Sequence, residues 1–157
     1  MSNSSDENFD ITVIGAGVIG LSIAASLSNH KTFGRLKILV LESKEKFGTG
    51  VSSRSSEVVH AGLYYPKSSL KTEMCIQGNR LLYEHCDQFN VPYKKIGKLV
   101  VAQKNELDDF EGLLANAQDN GIFDIKRIST SKLGFVEPSV KAESVFLSPS
   151  TGIVDSH

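Results

Sequence analysis

Gly15, Gly17 and Gly20 stand in the run Gly15-Ala16-Gly17-Val18-Ile19-Gly20, which fits G-x-G-x-x-G. That spacing lets bare backbone meet a pyrophosphate. The first glycine permits a tight turn, the second lets the phosphates approach the main chain, and the third lets a helix pack closely on a strand. Unshielded N–H groups and the positive end of the helix dipole then face the anion. Glu42 lies 22 residues beyond Gly20. Its carboxylate can accept hydrogen bonds from adenosine ribose hydroxyls, and it would repel a 2′-phosphate, which disfavours NADP. The plain alternatives are a structural turn for the glycines and a solvated strand end for Glu42. The pattern alone is weak, so its weight depends on the elements around it.

Those elements are the ones the mechanism requires. Phe9–Ile14 is a short β-branched run ending in glycine, which predicts a buried strand. Val18–Asn29, small and apolar over most faces, predicts a helix packed on a sheet. Leu36–Glu42 predicts a second buried strand. Strand, helix and strand over residues 9–42 make a right-handed parallel crossover, with the glycines opening its helix and Glu42 ending its second strand.

A second polar concentration follows in Thr49-Gly50-Val51-Ser52-Ser53-Arg54-Ser55-Ser56-Glu57. Amides, hydroxyls and one guanidinium after a dinucleotide crossover suit phosphate or ribityl oxygens. Residues 43–67 read as one long loop without helical period, and a loop of that length is usually functional or misread. A surface loop is the bland alternative. Val58, Val59, His60, Leu63, Tyr64 and Tyr65 in one run argue against it, because they need something to pack on.

Ser68 or Ser69 is expected to cap a helix reaching about Phe89, with Met74, Cys75, Gly78, Leu81, Leu82, His85, Cys86 and Phe89 on its inner face. Cys75 and Cys86 in that helix stand roughly 16 Å apart at 1.5 Å per residue, too far for a disulfide. A strand over Leu99–Ala102 is followed by a helix over Glu106–Asn120. Asn105 is its expected cap, Leu107, Phe110, Leu113, Leu114 and Ala117 face inward, and Gly121 stops it. Short strands at Ile122–Ile128 and Ser144–Leu147, with a helical turn at Thr130–Phe135, complete the pattern.

Hydrophobic residues are 40% and charged residues 22% of 157, the balance of a globular domain rather than a disordered chain. With 17 Lys+Arg against 18 Asp+Glu, no basic stripe argues for nucleic acid. No apolar run approaches the ~20 residues of a membrane helix. No metal site is read from the sequence. The first eight residues are polar and acidic, neither presequence nor secretory signal, and predict a disordered lead on a cytoplasmic protein.

Taken with Gly15, Gly17, Gly20 and Glu42, the stretch Ser52-Ser53-Arg54-Ser55-Ser56-Glu57-Val58-Val59-His60-Ala61-Gly62-Leu63-Tyr64-Tyr65-Pro66 is familiar. Ser69-Leu70-Lys71 with Cys75 and Gly78, Gly97–Ala102, and Ser148–Asp155 extend the match. On these residues the chain resembles FAD-dependent oxidoreductases of the D-amino-acid oxidase superfamily, most closely the L-2-hydroxyglutarate dehydrogenase branch. Glu57 stands where one branch has glycine. The resemblance implies an α/β fold: a Rossmann-type FAD-binding βαβ unit and flavin-side loop over residues 9–67, then the start of an α+β substrate domain over 68–157. It implies FAD as cofactor and a small 2-hydroxy acid as substrate, oxidised to the 2-oxo acid.

Carried over residue by residue, Gly15, Gly17, Gly20 and Glu42 would hold the ADP moiety, and Ser52, Ser53, Arg54, Ser55 and Ser56 would line the flavin side. His60 would lie nearest the reacting centre, where an imidazole can accept the hydroxyl proton. A loop histidine bonded to backbone is the alternative. His30, His85 and His157 carry no such case. Glycerol-3-phosphate dehydrogenases share the Ser-Ser…His-x-Gly-Leu pattern but have arginine where this chain has Tyr64, which removes an anchor for phosphate. Members of the family are much longer than 157 residues. The chain therefore reads as an N-terminal part, inactive alone, that needs a further C-terminal part or a second copy to cover apolar faces of residues 11–14 and 38–41. The other reading is a finished, non-catalytic nucleotide-binding protein.

Overall fold

The structure, a computed structural model, describes residues 7–156. Most of the expected lead, and His157, lie outside the described residues. The chain forms two compact units, one ending at Ser56 and one spanning Glu57–Ser156.

In the first unit, β1 (Ile11–Ile14), α1 (Val18–Ser28) and β2 (Ile38–Leu41) follow the sequence expectation closely. The strands pair in parallel, with Ile11 opposite Ile38 and Ile14 opposite Leu41. The Lys37 N–H donates to the Asp10 carboxylate at 2.8 Å and fixes the start of that register. Small residues on α1 suit close packing, yet only Ala24 of the helix is buried. The expected apolar exposure is large at Ile14 (86%) and moderate at Leu41 (47%), while Ile11, Val13 and Ile38–Val40 are half-buried.

The second unit holds β3 (Val58–Val59), α2 (Leu70–Phe89), β4 (Tyr93–Lys94), β5 (Lys98–Ala102), α3 (Leu107–Asp119), β6 (Lys126–Arg127), α4 (Thr130–Val136), β7 (Ser144–Ser148) and β8 (Gly152–Val154). Two antiparallel sheets result, ordered β3-β8-β4 and β5-β7-β6. Leu63, Ala102, Phe110, Leu114, Ala117 and Phe146 form the core between α3 and the second sheet. The Phe110 and Phe146 rings meet at 5.1 Å.

Five expectations change. Residues 43–67 are not one unstructured loop: Ser52–Arg54 make a 3-10 turn, and Val58–Val59 pair with Ile153 and Gly152. That pairing draws residues 57–67 into the second unit, so the division falls at Ser56 rather than residue 67. The inner face of α2 is also rotated. Met74, Leu81 and Phe89 are at least half exposed, while Thr72, Tyr83 and Cys86 are buried. The cause is polar: Asn79 and Tyr83 turn inward to reach the Ser150 carbonyl. The start of α3 uses Gln103 and Glu106 rather than Asn105, the Glu106 carboxylate accepting the Gln103 N–H at 2.8 Å. The strand expected over Ile122–Ile128 shrinks to β6, and β8 was not foreseen. Ser69 caps α2, accepting the Thr72 N–H at 3.1 Å.

Candidate functional site

The glycine loop is built by three constraints in the first unit. Gly15 turns the chain at φ +101°, a backbone that side-chain-bearing residues rarely adopt, while its N–H donates to Leu41 at 2.7 Å. Gly17 sits at the N-terminus of α1 and brings no side chain to cap it. The Ser52 hydroxyl does this from 34 residues away, accepting the Val18 N–H at 2.9 Å. A Cβ on Gly17 would lie 3.0 Å from that hydroxyl, and one on Gly20 would run into the Gly15 carbonyl oxygen. The third glycine thus allows close approach, as its place in the motif predicts.

Glu42 reaches back to the same loop. One carboxylate oxygen accepts the Ala16 N–H at 2.8 Å, and the other accepts the Lys44 N–H at 3.0 Å. These backbone donors, Ala16 foremost, hold its carboxyl below the usual carboxylate range, so it is ionised at neutral pH. The Gly48 N–H donates to the Ala16 carbonyl at 2.9 Å and brings the serine-rich segment onto the loop. Gly15, Gly17, Gly20, Glu42 and Ser52 therefore converge. An anionic acceptor for hydroxyls, a Cβ-free approach and a hydroxyl at a helix N-terminus together fit an ADP group.

The remaining loop residues do not join them. The Ser53 hydroxyl donates to Gly50 at 3.0 Å, and Arg54 donates to Thr49 and Gly50 at 3.2 and 3.0 Å. Both side chains brace their own 3-10 turn. Ser55 and Ser56 are exposed, Ser55 on extended backbone.

His60 lies in the second unit, in a segment whose carbonyls are held from α2 and α3. Asn79 donates to the His60 carbonyl at 3.0 Å, and the Cys75 thiol to the same oxygen at 3.7 Å. Asn116 donates to Leu63 and Tyr65, each at 3.0 Å, and Asn120 to Tyr65. The Thr72 hydroxyl donates to Pro66 at 2.7 Å. Ala61, Gly62 and Leu63 are buried, so the His60 side chain is presented outward from a pinned main chain. Glu57 takes φ +57°, a left-handed backbone that glycine adopts most readily, and its carboxylate accepts the Ser156 N–H at 2.9 Å. Sequence reasoning missed the asparagines. Their signal was a carboxamide inside an apolar stripe, Asn79 between Ile76 and Tyr83 and Asn116 between Leu113 and Ala117.

Among the described residues no helix is long and apolar enough to cross a membrane. Residues 10–157 match the family model described as FAD dependent oxidoreductase. The mitochondrial L-2-hydroxyglutarate dehydrogenase of Arabidopsis thaliana is 41% identical over 152 residues, covering 96% of this chain and 31% of that protein. The Homo sapiens enzyme of that name is 35% identical, covering 98% of this chain and 33% of its own length. The chain thus spans about a third of the length of the curated relatives it matches. Among solved structures, dithionite-reduced L-alpha-glycerophosphate oxidase of Mycoplasma pneumoniae with FAD bound superposes with a TM-score of 0.83 at 26% identity, covering 96% of this chain and 40% of that one. Glycine oxidase of Geobacillus kaustophilus gives 0.78 at 20% identity, covering 94% of this chain and 41% of that one, a likeness of fold alone.

Proposed function

The chain belongs to the FAD-dependent oxidoreductase family, and from that premise we propose that it is the dinucleotide-holding part of an enzyme oxidising a 2-hydroxy acid of the L-2-hydroxyglutarate class. The observation that carries this is the convergence of Glu42 and Ser52 on the glycine loop. The unit ending at Ser56 is then the start of a Rossmann-type sheet, and residues from 68 onward begin a substrate domain. FAD, when bound, supplies the acceptor for the hydride leaving the hydroxyl-bearing carbon.

Gly15, Gly17 and Gly20 keep the pyrophosphate path clear of side chains, and Glu42 accepts the ribose hydroxyls. Ser52 accepts the Val18 N–H and keeps its own proton to donate to a phosphate oxygen. Ser53, Arg54, Ser55 and Ser56 line the flavin side, the first two by setting the loop's shape. The His60 imidazole takes the substrate's hydroxyl proton as the C–H bond breaks. Arg54 is committed to Thr49 and Gly50, Arg80 to Glu84 and Arg127 to Glu111. Arg35 stands before β2, so a bidentate clamp for the substrate carboxylate is better supplied by a further part of the enzyme, and the 157-residue chain alone should not turn over. Two free thiols suit a reducing compartment, and the relatives above are named mitochondrial.

Titrating the chain with FAD and following flavin fluorescence tests the cofactor site. Saturable quenching is expected, and Gly17→Val should abolish it, since branched atoms would enter the path the pyrophosphate needs. Equal affinity in the variant would remove the loop from the site. In the full-length enzyme, His60→Asn should lower kcat and kcat/KM together by ~10²–10⁴-fold with flavin content unchanged. Preferred oxidation of glycerol 3-phosphate would move the substrate to the phosphorylated class.

A further inference from the structure

We propose that Asn79 is a positioning residue for His60, tying the main chain of the histidine to the turn at Ser150. The inference rests on His60 as the proton acceptor and names what sets its place. One carboxamide nitrogen carries both ties, to the His60 carbonyl and to the Ser150 carbonyl, each at 3.0 Å. Those acceptors are 90 residues apart in sequence, and the nitrogen ties them together just beyond the β3–β8 pairing, where Val59 stands opposite Gly152.

The surroundings hold both ends in place. Tyr83, one turn along α2, donates its hydroxyl to the same Ser150 oxygen at 3.0 Å. The Cys75 thiol, one turn back, shares the His60 oxygen. Burial pushes that thiol up, so it stays protonated and can donate. Gly62, at φ +87°, lets the chain pass Ile76 so closely that a Cβ there would lie 2.9 Å from the isoleucine. The Cα–Cβ direction of His60 is thus fixed while its ring remains exposed.

Position matters because a proton acceptor must come within ~2.6–3.2 Å of the atom it serves. A displacement of ~1 Å can cost on the order of 10²-fold in rate. Asn116 offers a comparison: the same side-chain type, reaching from α3 to the same segment, on the carbonyls of Leu63 and Tyr65 but not of His60.

The test sets Asn79→Ala beside Asn116→Ala in the full-length enzyme. Both should lower Tm to a similar degree. Asn79→Ala should lower kcat by ~10–100-fold with KM nearly unchanged and displace the acid limb of the pH–rate profile, while Asn116→Ala should fall well short of that loss. In the 157-residue chain, His60 imidazole resonances should broaden or double in Asn79→Ala and stay single in Asn116→Ala. Equal kcat losses in the two variants, or unaltered His60 resonances in Asn79→Ala, would overturn the proposal. Should Asn79→Ala fail to fold, Asn79→Ser keeps a shorter donor and should show the same changes in weaker form; its full equivalence to the parent would count against the proposal. If His60→Asn leaves kcat intact, the proton acceptor itself is wrong, and the resonance experiment still decides whether Asn79 orders the ring.

Discussion

Up to Ser56 the buried hydrophobic side chains among the described residues are Ala16 and Ala24, whereas from Glu57 onward they run from Val59 to Phe146. The first unit exposes Ile14 at 86% and Ile19 at 74%; the second buries Phe146, Leu63, Leu133 and Cys86 almost completely. The proposed cofactor contacts are distributed the other way, since the unit with hardly any core carries the glycine loop. Its geometry is held by backbone demands: the turn at Gly15, the close approach at Gly20, and hydrogen bonds from Ala16 to Glu42 and from Val18 to Ser52. A parallel pair of strands needs cover on both faces, and one helix cannot supply it. In the second unit the β5-β7-β6 sheet packs on α3 and buries its own apolar face.

The contrast is broken most severely by deleting core. Phe146→Ala should destabilise the second unit by about 3–5 kcal/mol, read as a lower urea midpoint. Ile14→Ala in the first unit should stay within about 0.5 kcal/mol. A comparable loss at Ile14 would mean that the first unit has more core than its exposure shows.

A smaller effect is expected at the surrogate cap. Ser52→Ala leaves the Val18 N–H without its partner and should cost about 0.5 kcal/mol, the low end for a helix cap, because the bond is exposed. Hydrogen exchange should quicken at the start of α1 and remain unchanged in α3. Unchanged exchange at Val18 would leave Ser52 without a structural role there.

The smallest effect is electrostatic. The Ala16 and Lys44 N–H groups lower the Glu42 carboxyl in the folded chain, so its contribution is present above the ordinary carboxylate range and fades as pH falls through the lowered value. Flavin affinity and Ala16 amide protection should weaken together on acidification, and Glu42→Gln should flatten both profiles. Solvent around this exposed group keeps the change small. An undiminished acid response in Glu42→Gln would assign it to another carboxylate.

The glycine motif, its strands and helix, and the acid after the second strand were legible because each is specified within about 30 residues by hydrophobic period and glycine spacing. The inward face of α3 was legible for the same reason: Phe110, Leu114 and Ala117 repeat at helical spacing, and Asn116 donates from beside them without displacing any. The face of α2 was not. Asn79 and Tyr83 point inward because carbonyls at His60 and Ser150 require donors, and those carbonyls arrive from 19 and 71 residues away. Strand β3 was hidden likewise, since its partner β8 follows more than 90 residues later. Sequence by itself therefore determined the strand–helix–strand crossover with its glycine motif and the family resemblance, both local patterns. Tertiary structure decided where the units divide, which face of α2 is buried and what holds His60, because buried carbonyls must find donors wherever the fold brings them.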